Sequence, residues 1–481
     1  MGWARTIPRM GVGRTIKSTE AARRDDLARK THFLVALAGI LLFLAGLATP
    51  FQFGLAFTLW SAVSVGYCIY TTVLLTVWRL YLFAGLAIFL TYGVATVWAV
   101  NYALGWPMSS WRAGWETRTD FTDALGHSLL YLTFFSVLCV FVVSRAPKPQ
   151  IGPRAPLEGD RYQLAVTLLT VGSAFSMVAI AGTRGRDEYL ITADLGSMFL
   201  VQASSILMAS LFAFALFYLP SGMFRRLVIA TLAGAALLVG MNGFRFLLII
   251  FALVWLFYIL ATRRIPLSRA ILLAAAGTLG YIGLLCLAYT RTLGLTTGQV
   301  FEFLLSPDLD AALAYVGAAD QVNMVALDYF TDRARFDEAL SGRTYLDAFL
   351  RLAPNFVHTS LFETIRGQDY IVQTGTFVPE QFRENNWTVG SHLFVEAVIN
   401  FGRLGPYLVL SVVVAVLAWL TRLSRTSPTL FLGCLVTAAM GYSLAWYGFA
   451  NSLKQGVFAF VCCLIIARVT GPWKRDQSVS A

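Results

Sequence analysis

Residues 404–421 read LGPYLVLSVVVAVLAWLT, eighteen positions without a charge. A helix gains about 1.5 Å per residue, so this run covers most of the roughly 30 Å of hydrocarbon in a bilayer. It is apolar on every side and offers no stripe for water. Inside lipid the backbone must satisfy its own hydrogen bonds, which at this length leaves only a helix. Runs of the same kind occupy 33–48, 51–77, 80–104, 121–144, 162–182, 196–219, 227–242, 246–262, 270–290, 428–448 and 450–467. The reading is an all-α, polytopic integral membrane protein of about twelve transmembrane helices. Composition agrees: 57% of residues are hydrophobic and 13% charged, against about a quarter charged in a soluble domain.

Charge orients the spans. Arg5, Arg9, Arg14, Lys17, Arg23, Arg24, Arg29 and Lys30 precede the first run, which predicts a cytoplasmic N-terminus. Alternation then puts Arg79, the 145–161 loop, Arg225, Arg226, the 263–269 loop, Arg422, Arg425 and the C-terminal tail on the same side. That side holds 23 of the 37 basic and 6 of the 26 acidic residues, about +17 against about −6 outside, together the chain's +11. The basic balance is therefore a topology signal and gives no reason to expect nucleic acid as a partner. The long charged N-terminal region, followed at once by a span, predicts no cleavable signal peptide.

The organisation expected is a basic cytoplasmic segment at 1–30, a membrane domain of about nine spans at 31–290, a large outward segment at 291–391, three spans at 392–468 and a cytoplasmic tail at 469–481. The outward segment carries Asp308, Asp310, Asp320, Asp328, Asp332, Asp337, Glu338 and Asp347. Its apolar residues, among them Phe301, Leu304, Leu305, Leu327, Phe330, Phe349, Leu350 and Leu352, recur at helical spacing, which predicts a mostly helical cap. All six cysteines lie in apolar runs, so no disulfide framework or cysteine metal site is expected.

Charged and polar residues at span mouths carry whatever chemistry there is, because they are costly in lipid. Arg245 follows Asn242-Gly-Phe between two spans joined by almost no loop. Arg291 ends the ninth span, and Arg184 and Arg186 open another outward loop. A guanidinium offers a bidentate fork to a diphosphate and stays charged; equally, such arginines snorkel or pair with nearby acids. Trp106, Trp111 and Trp115 cluster in a further outward loop, as an aromatic belt or a sugar-stacking surface. His392, Glu396 and Asn400 are four apart, so on a helix they stack along one face. This stripe reads either as a polar packing seam or as a site with His392 or Glu396 as general base. Asp123 and His127, also four apart, read as a hydrogen-bonded pair or a proton relay.

Absences narrow the chemistry. There is no GxxxxGKS loop, no GxGxxG after a strand, no HExxH and no GxSxG. Asp308-Leu-Asp310 has the spacing of a metal-binding carboxylate pair but stands far from any expected span mouth. Any reaction would use a donor already activated and held in the membrane.

The stretch Ser391-His-Leu-Phe-Val-Glu396-Ala-Val-Ile-Asn400-Phe-Gly402-Arg-Leu-Gly405 resembles the signature of bacterial oligosaccharide repeat-unit polymerases, the Wzy group, which show a Glu followed by Asn-Phe-Gly and another Gly. Ser341-Gly-Arg-Thr-Tyr345-Leu-Asp-Ala-Phe-Leu-Arg-Leu-Ala-Pro354 is similar to the family's loop pattern of Gly-x-Thr-Tyr and a later Pro. The Asn-Gly-Phe-Arg245 turn resembles the short Arg-bearing turn of the polymerases. His392 with Gly402 and Gly405 resembles the related O-antigen ligases, although Leu393 stands where those carry Asn.

The resemblance, which covers roughly residues 240–420, implies a glycosyltransferase in the bacterial inner membrane. Its donor is a glycan on a polyprenyl diphosphate in the outer leaflet, and its acceptor is a hydroxyl of the next lipid-linked repeat unit. It implies Arg245 and Arg291 on the diphosphate with Arg184 or Arg186 behind them, and His392 then Glu396 as base. Asn400, Trp111 and Trp115 would meet the sugars. It implies no cofactor and no metal, membrane lipid as surroundings, and room for a chain-length regulator protein as partner. A transporter of lipid-linked oligosaccharide, a ligase and a non-catalytic scaffold are the competing readings.

Overall fold

The computed structural model describes residues 12–52, 54–99, 122–145, 161–182, 195–241, 244–263, 342–350, 372–373, 376–377 and 393–470, with isolated positions 272, 275 and 277. The expected ninth span at 270–290 and most of the outward segment lie outside the described residues.

Apart from one small hairpin, the described chain is helical. The helices are α1 (Val12–Ala48), α2 (Leu55–Val77), α3 (Tyr81–Val97), α4 (Thr122–Arg145), α5 (Arg161–Met177, with a π-helical turn Val178–Gly182), α6 (Leu195–Phe217), α7 (Met223–Met241), α8 (Arg245–Thr262), α9 (Arg343–Leu350), α10 (Leu393–Phe401), α11 (Gly405–Leu423), α12 (Pro428–Ala439) and α13 (Gly441–Thr470). The hairpin, β1 (Val372–Gln373) with β2 (Thr376–Phe377), pairs Val372 with Phe377 and Gln373 with Thr376. Among the described residues, eight helical stretches are long and apolar enough to cross a membrane, and three more are apolar but shorter. This is the architecture of a polytopic membrane protein.

Burial sorts the helices into layers. Phe83, Leu90 and Val94 of α3, Leu129, Phe135 and Val140 of α4, and Leu211 and Phe214 of α6 are all but inaccessible. Outside them, α1 shows Phe33, Leu34, Leu41 and Leu44 to the surroundings, α5 shows Leu164, Leu168 and Phe175, and α7 shows Leu227 and Leu237. So much large apolar surface is untenable in water and ordinary against lipid. Cys68, Cys139, Cys434, Cys462 and Cys463 are buried free thiols.

Two features depart from uninterrupted spans. The expected span 428–448 is broken: α12 stops at Ala439, Met440 caps it, and α13 restarts at Gly441. There the backbones of Gly441 and Gly85 of α3 meet with no space for a side chain on either. Second, the helical run Leu393–Leu423 is two helices. Gly402 takes φ 66°, a left-handed residue that ends α10, and a 3-10 turn Gly402–Leu404 leads into α11. The turn is tight enough that Gly405 lies directly against the Ala397 carbonyl.

Candidate functional site

Within α10, every residue from Leu393 to Asn400 is buried. The helix is therefore surrounded by protein and does not face lipid. Glu396 is 5% exposed and Asn400 1%. A carboxylate and an amide this deep need partners, or each costs several kcal/mol of lost hydration. What they meet explains the stripe.

Helix α9 begins after Gly342, whose φ is 87° and whose carbonyl accepts from Tyr345 and Leu346 N–H. A glycine at a helix start has no side chain to satisfy the free first-turn N–H groups. Asn400 supplies the missing cap from another helix: Thr344 N–H donates to its Oδ1 at 3.4 Å. The Asn400 amide donates to Thr344 Oγ1 at 2.7 Å and to the Glu396 carbonyl at 2.8 Å. Thr344 Oγ1 passes its own proton on to Glu396 Oε1 at 2.9 Å.

The other oxygen repeats the pattern at a second glycine. Inside α13, Gly448 has φ 76° and ψ −174°, a conformation essentially reserved for glycine. It breaks the helix and turns the Phe449 N–H out of the helical ladder. That N–H donates to Glu396 Oε2 at 2.8 Å, while Ser452 Oγ returns a bond to the Gly448 carbonyl. The helix from Phe449 to Thr470 thus has an acid at its amino end, where the macrodipole favours negative charge. Two residues one turn apart on α10 cap two glycine-led helices, one in the polar segment and one in the membrane.

Aromatic rings seal this junction. Tyr345 stacks on Phe401, with centroids 6.0 Å apart and planes within 6°, and meets Phe449 edge-on at 5.4 Å. Phe349 lies against Phe449 at 5.7 Å. The Tyr345 hydroxyl is buried and has no hydrogen-bond partner among the described residues. Burial and the Glu396 carboxylate hold its phenol well above the ordinary tyrosine range.

Arg245 is the first residue of α8, and α7 ends four positions earlier at Met241, so the two helices follow each other closely in sequence. Its neighbour Phe246 contacts Tyr442, which also contacts Phe89. Phe246 of α8 and Glu396 of α10 therefore contact the two ends of one short segment, Tyr442 to Phe449, of the last helix. Tyr131 of α4 donates to the Arg403 carbonyl at 3.2 Å and packs on Phe394 and Tyr407, which ties α4 to the turn between α10 and α11.

Asp123 and His127 share a face as expected, but Nε2 stands 3.8 Å from Oδ2, beyond hydrogen-bond range. The imidazole is held by Phe51 edge-on and by stacking on Tyr131 instead. His392, Arg184, Arg186, Arg291, Trp111 and Trp115 lie outside the described residues. Among the described residues no cluster of three side chains is arranged to hold a metal ion.

Gly342 and Thr344 enter the sequence reading only through the Gly-x-Thr-Tyr resemblance, without a role, and Gly448 and the Phe449 N–H are not singled out there at all. The available signal was indirect: Glu396 and Asn400 in an apolar helix demand donors, and Gly342 two residues before Thr344 marks a start without its own cap. No family model matches this chain, and no curated protein or solved structure shows significant similarity to it.

Proposed function

We propose that this chain is a membrane glycosyl-transferring polymerase that joins polyprenyl-diphosphate-linked oligosaccharide repeat units into a surface polysaccharide. The observation that carries this reading is the Thr344 hydroxyl bonded to both Glu396 and Asn400. The Gly-x-Thr-Tyr segment and the Glu…Asn-Phe-Gly segment each resemble the polymerases separately; here they form one hydrogen-bonded junction. That junction sits beside a break in the membrane helices at Gly448.

In this reading the junction end of the bundle faces out of the bacterial inner membrane, both termini are cytoplasmic, and twelve spans cross. The acceptor hydroxyl oxygen bonds to the anomeric carbon of the donor sugar, the bond from that carbon to the diphosphate oxygen breaks, and polyprenyl diphosphate leaves. Negative charge grows on the departing oxygens, so fixed cations lower the barrier. Arg245 and Arg291 take that role, with Arg184 or Arg186 behind them. The acceptor's proton passes to a base. His392 is the better choice, because both oxygens of Glu396 are already bonded within the protein. Trp111 and Trp115 hold sugars, and the donor's own leaving group supplies the driving force without a cofactor.

The broken helices α12 and α13 favour a second reading, since interrupted spans line the substrate sites of transporters. The gel profile of surface polysaccharide from a strain lacking this chain separates the two. Loss of a polymerase leaves single repeat units at the surface; loss of a transporter leaves none.

A further inference from the structure

A base for a sugar hydroxyl must present an oxygen to substrate. Glu396 is buried, with Oε1 on the Thr344 hydroxyl and Oε2 on the Phe449 N–H. We propose that Glu396 is a positioning residue which, through Thr344, latches the polar segment 342–350 to the hinge of the last helix at Gly448. Its consequence for glycosyl transfer rests on the function proposed above; the latch itself does not.

The bonds converge on the Glu396 carboxylate. Asn400 donates to Thr344 Oγ1, and Thr344 donates to Glu396. A hydroxyl has one proton, so accepting from Asn400 leaves Thr344's proton for the carboxylate. The same carboxylate accepts from Phe449. The two ends of the chain of bonds are thus the amino ends of α9 and of the helix after Gly448. Neither glycine can cap its own helix, so moving α9 away strips a donor from the acid that caps the other helix. Tyr345, in contact with both Phe401 and Phe449, moves with α9. The position of the polar segment and the bend at Gly448 are therefore coupled, and the junction sets how the segment sits over the bundle.

Amide hydrogen exchange on the full chain in detergent tests this, with the long-chain surface polysaccharide of the native strain as a second readout. Thr344→Val removes the bridging hydroxyl at nearly constant volume. It is expected to speed exchange about tenfold at 343–350 and also at Phe449, whose N–H bonds to the other oxygen of Glu396 and not to Thr344. Thr344→Ser is expected to restore both. Exchange changed at 343–350 alone, with Phe449 as in the wild type, overturns the latch, as does a serine variant no better than valine. Glu396→Gln keeps an acceptor for Phe449 and is expected to hold that amide's protection and to retain long chains within about fivefold. Protection kept with long chains abolished would make Glu396 a base and overturn the positioning role. If Thr344→Val uncouples the amides while polysaccharide length is untouched, the latch stands and the proposed transfer reaction falls.

Discussion

Thr344 and Glu396 stand 52 residues apart in sequence, one in the short helix of the polar segment and one in a helix buried among the spans, and a 2.9 Å hydrogen bond joins them. Removing the acid therefore injures two helices at once. Glu396→Ala leaves the Thr344 hydroxyl and the Phe449 N–H without their acceptor, and hydrogen bonds to a charged group are worth about 1.5–3 kcal/mol each. A loss of about 3–5 kcal/mol is expected. It would show as a lower unfolding temperature of the detergent-solubilised chain, with Glu396→Gln losing less than half as much.

Tyr345→Phe should act in the opposite direction. The phenol oxygen is buried without a partner among the described residues, and a buried unsatisfied group costs about 1–3 kcal/mol. The ring contacts with Phe401 and Phe449 survive the change. The variant is expected to unfold at a higher temperature than the wild type; a destabilised Tyr345→Phe would mean the hydroxyl has a partner in the folded chain.

Gly448→Ala puts a Cβ where φ is 76° and ψ is −174°, at a cost of about 1–3 kcal/mol. Straightening the helix relieves that strain but returns the Phe449 N–H to the helical ladder and takes it from Glu396. Both routes damage the junction. Loss of Phe449 protection in hydrogen exchange, with shortened surface polysaccharide, is the expected pair of results, and Gly448→Ala with full protection and normal chains would remove the hinge from consideration.

For the diphosphate contacts, Arg245→Ala and Arg291→Ala are each expected to abolish long-chain polysaccharide while the chain still reaches the membrane at wild-type levels. Arg245→Lys should recover only part of the loss, since an ammonium cannot form the bidentate fork. Normal chain lengths in both alanine variants would sink the assignment.

His392→Ala should stop chain extension from purified lipid-linked repeat units while leaving the exchange of Phe449 unchanged, because His392 is proposed as the base and not as part of the latch. Full extension by this variant would exclude it.

Much of the membrane body was legible, because a long apolar run has one physical solution in lipid. Residues 404–421 and α11 differ by a residue or two at each end, and the 162–182 run is matched by α5 and its π-helical turn. The breaks were not legible. The break after Ala439 falls where Ala438 and Gly441 approach the backbone of Gly85 in a distant helix, a tertiary contact that the apolar run 428–448 does not announce. The stripe of Glu396 and Asn400 was visible as a need for polar company. Its partners were hidden, because one of them is a main-chain N–H, which every residue but proline carries.

The order in which the junction's parts are made has a consequence for how the protein is built. Thr344 leaves the ribosome 105 residues before Phe449, which at about 5–20 residues per second is roughly 5–20 s of synthesis. Until the helix after Gly448 is inserted, Glu396 lacks the N–H that holds its second oxygen, and the polar segment can dock on α10 alone. A chain stalled before residue 449 would thus enter the membrane with its polar segment fastened at α10 only.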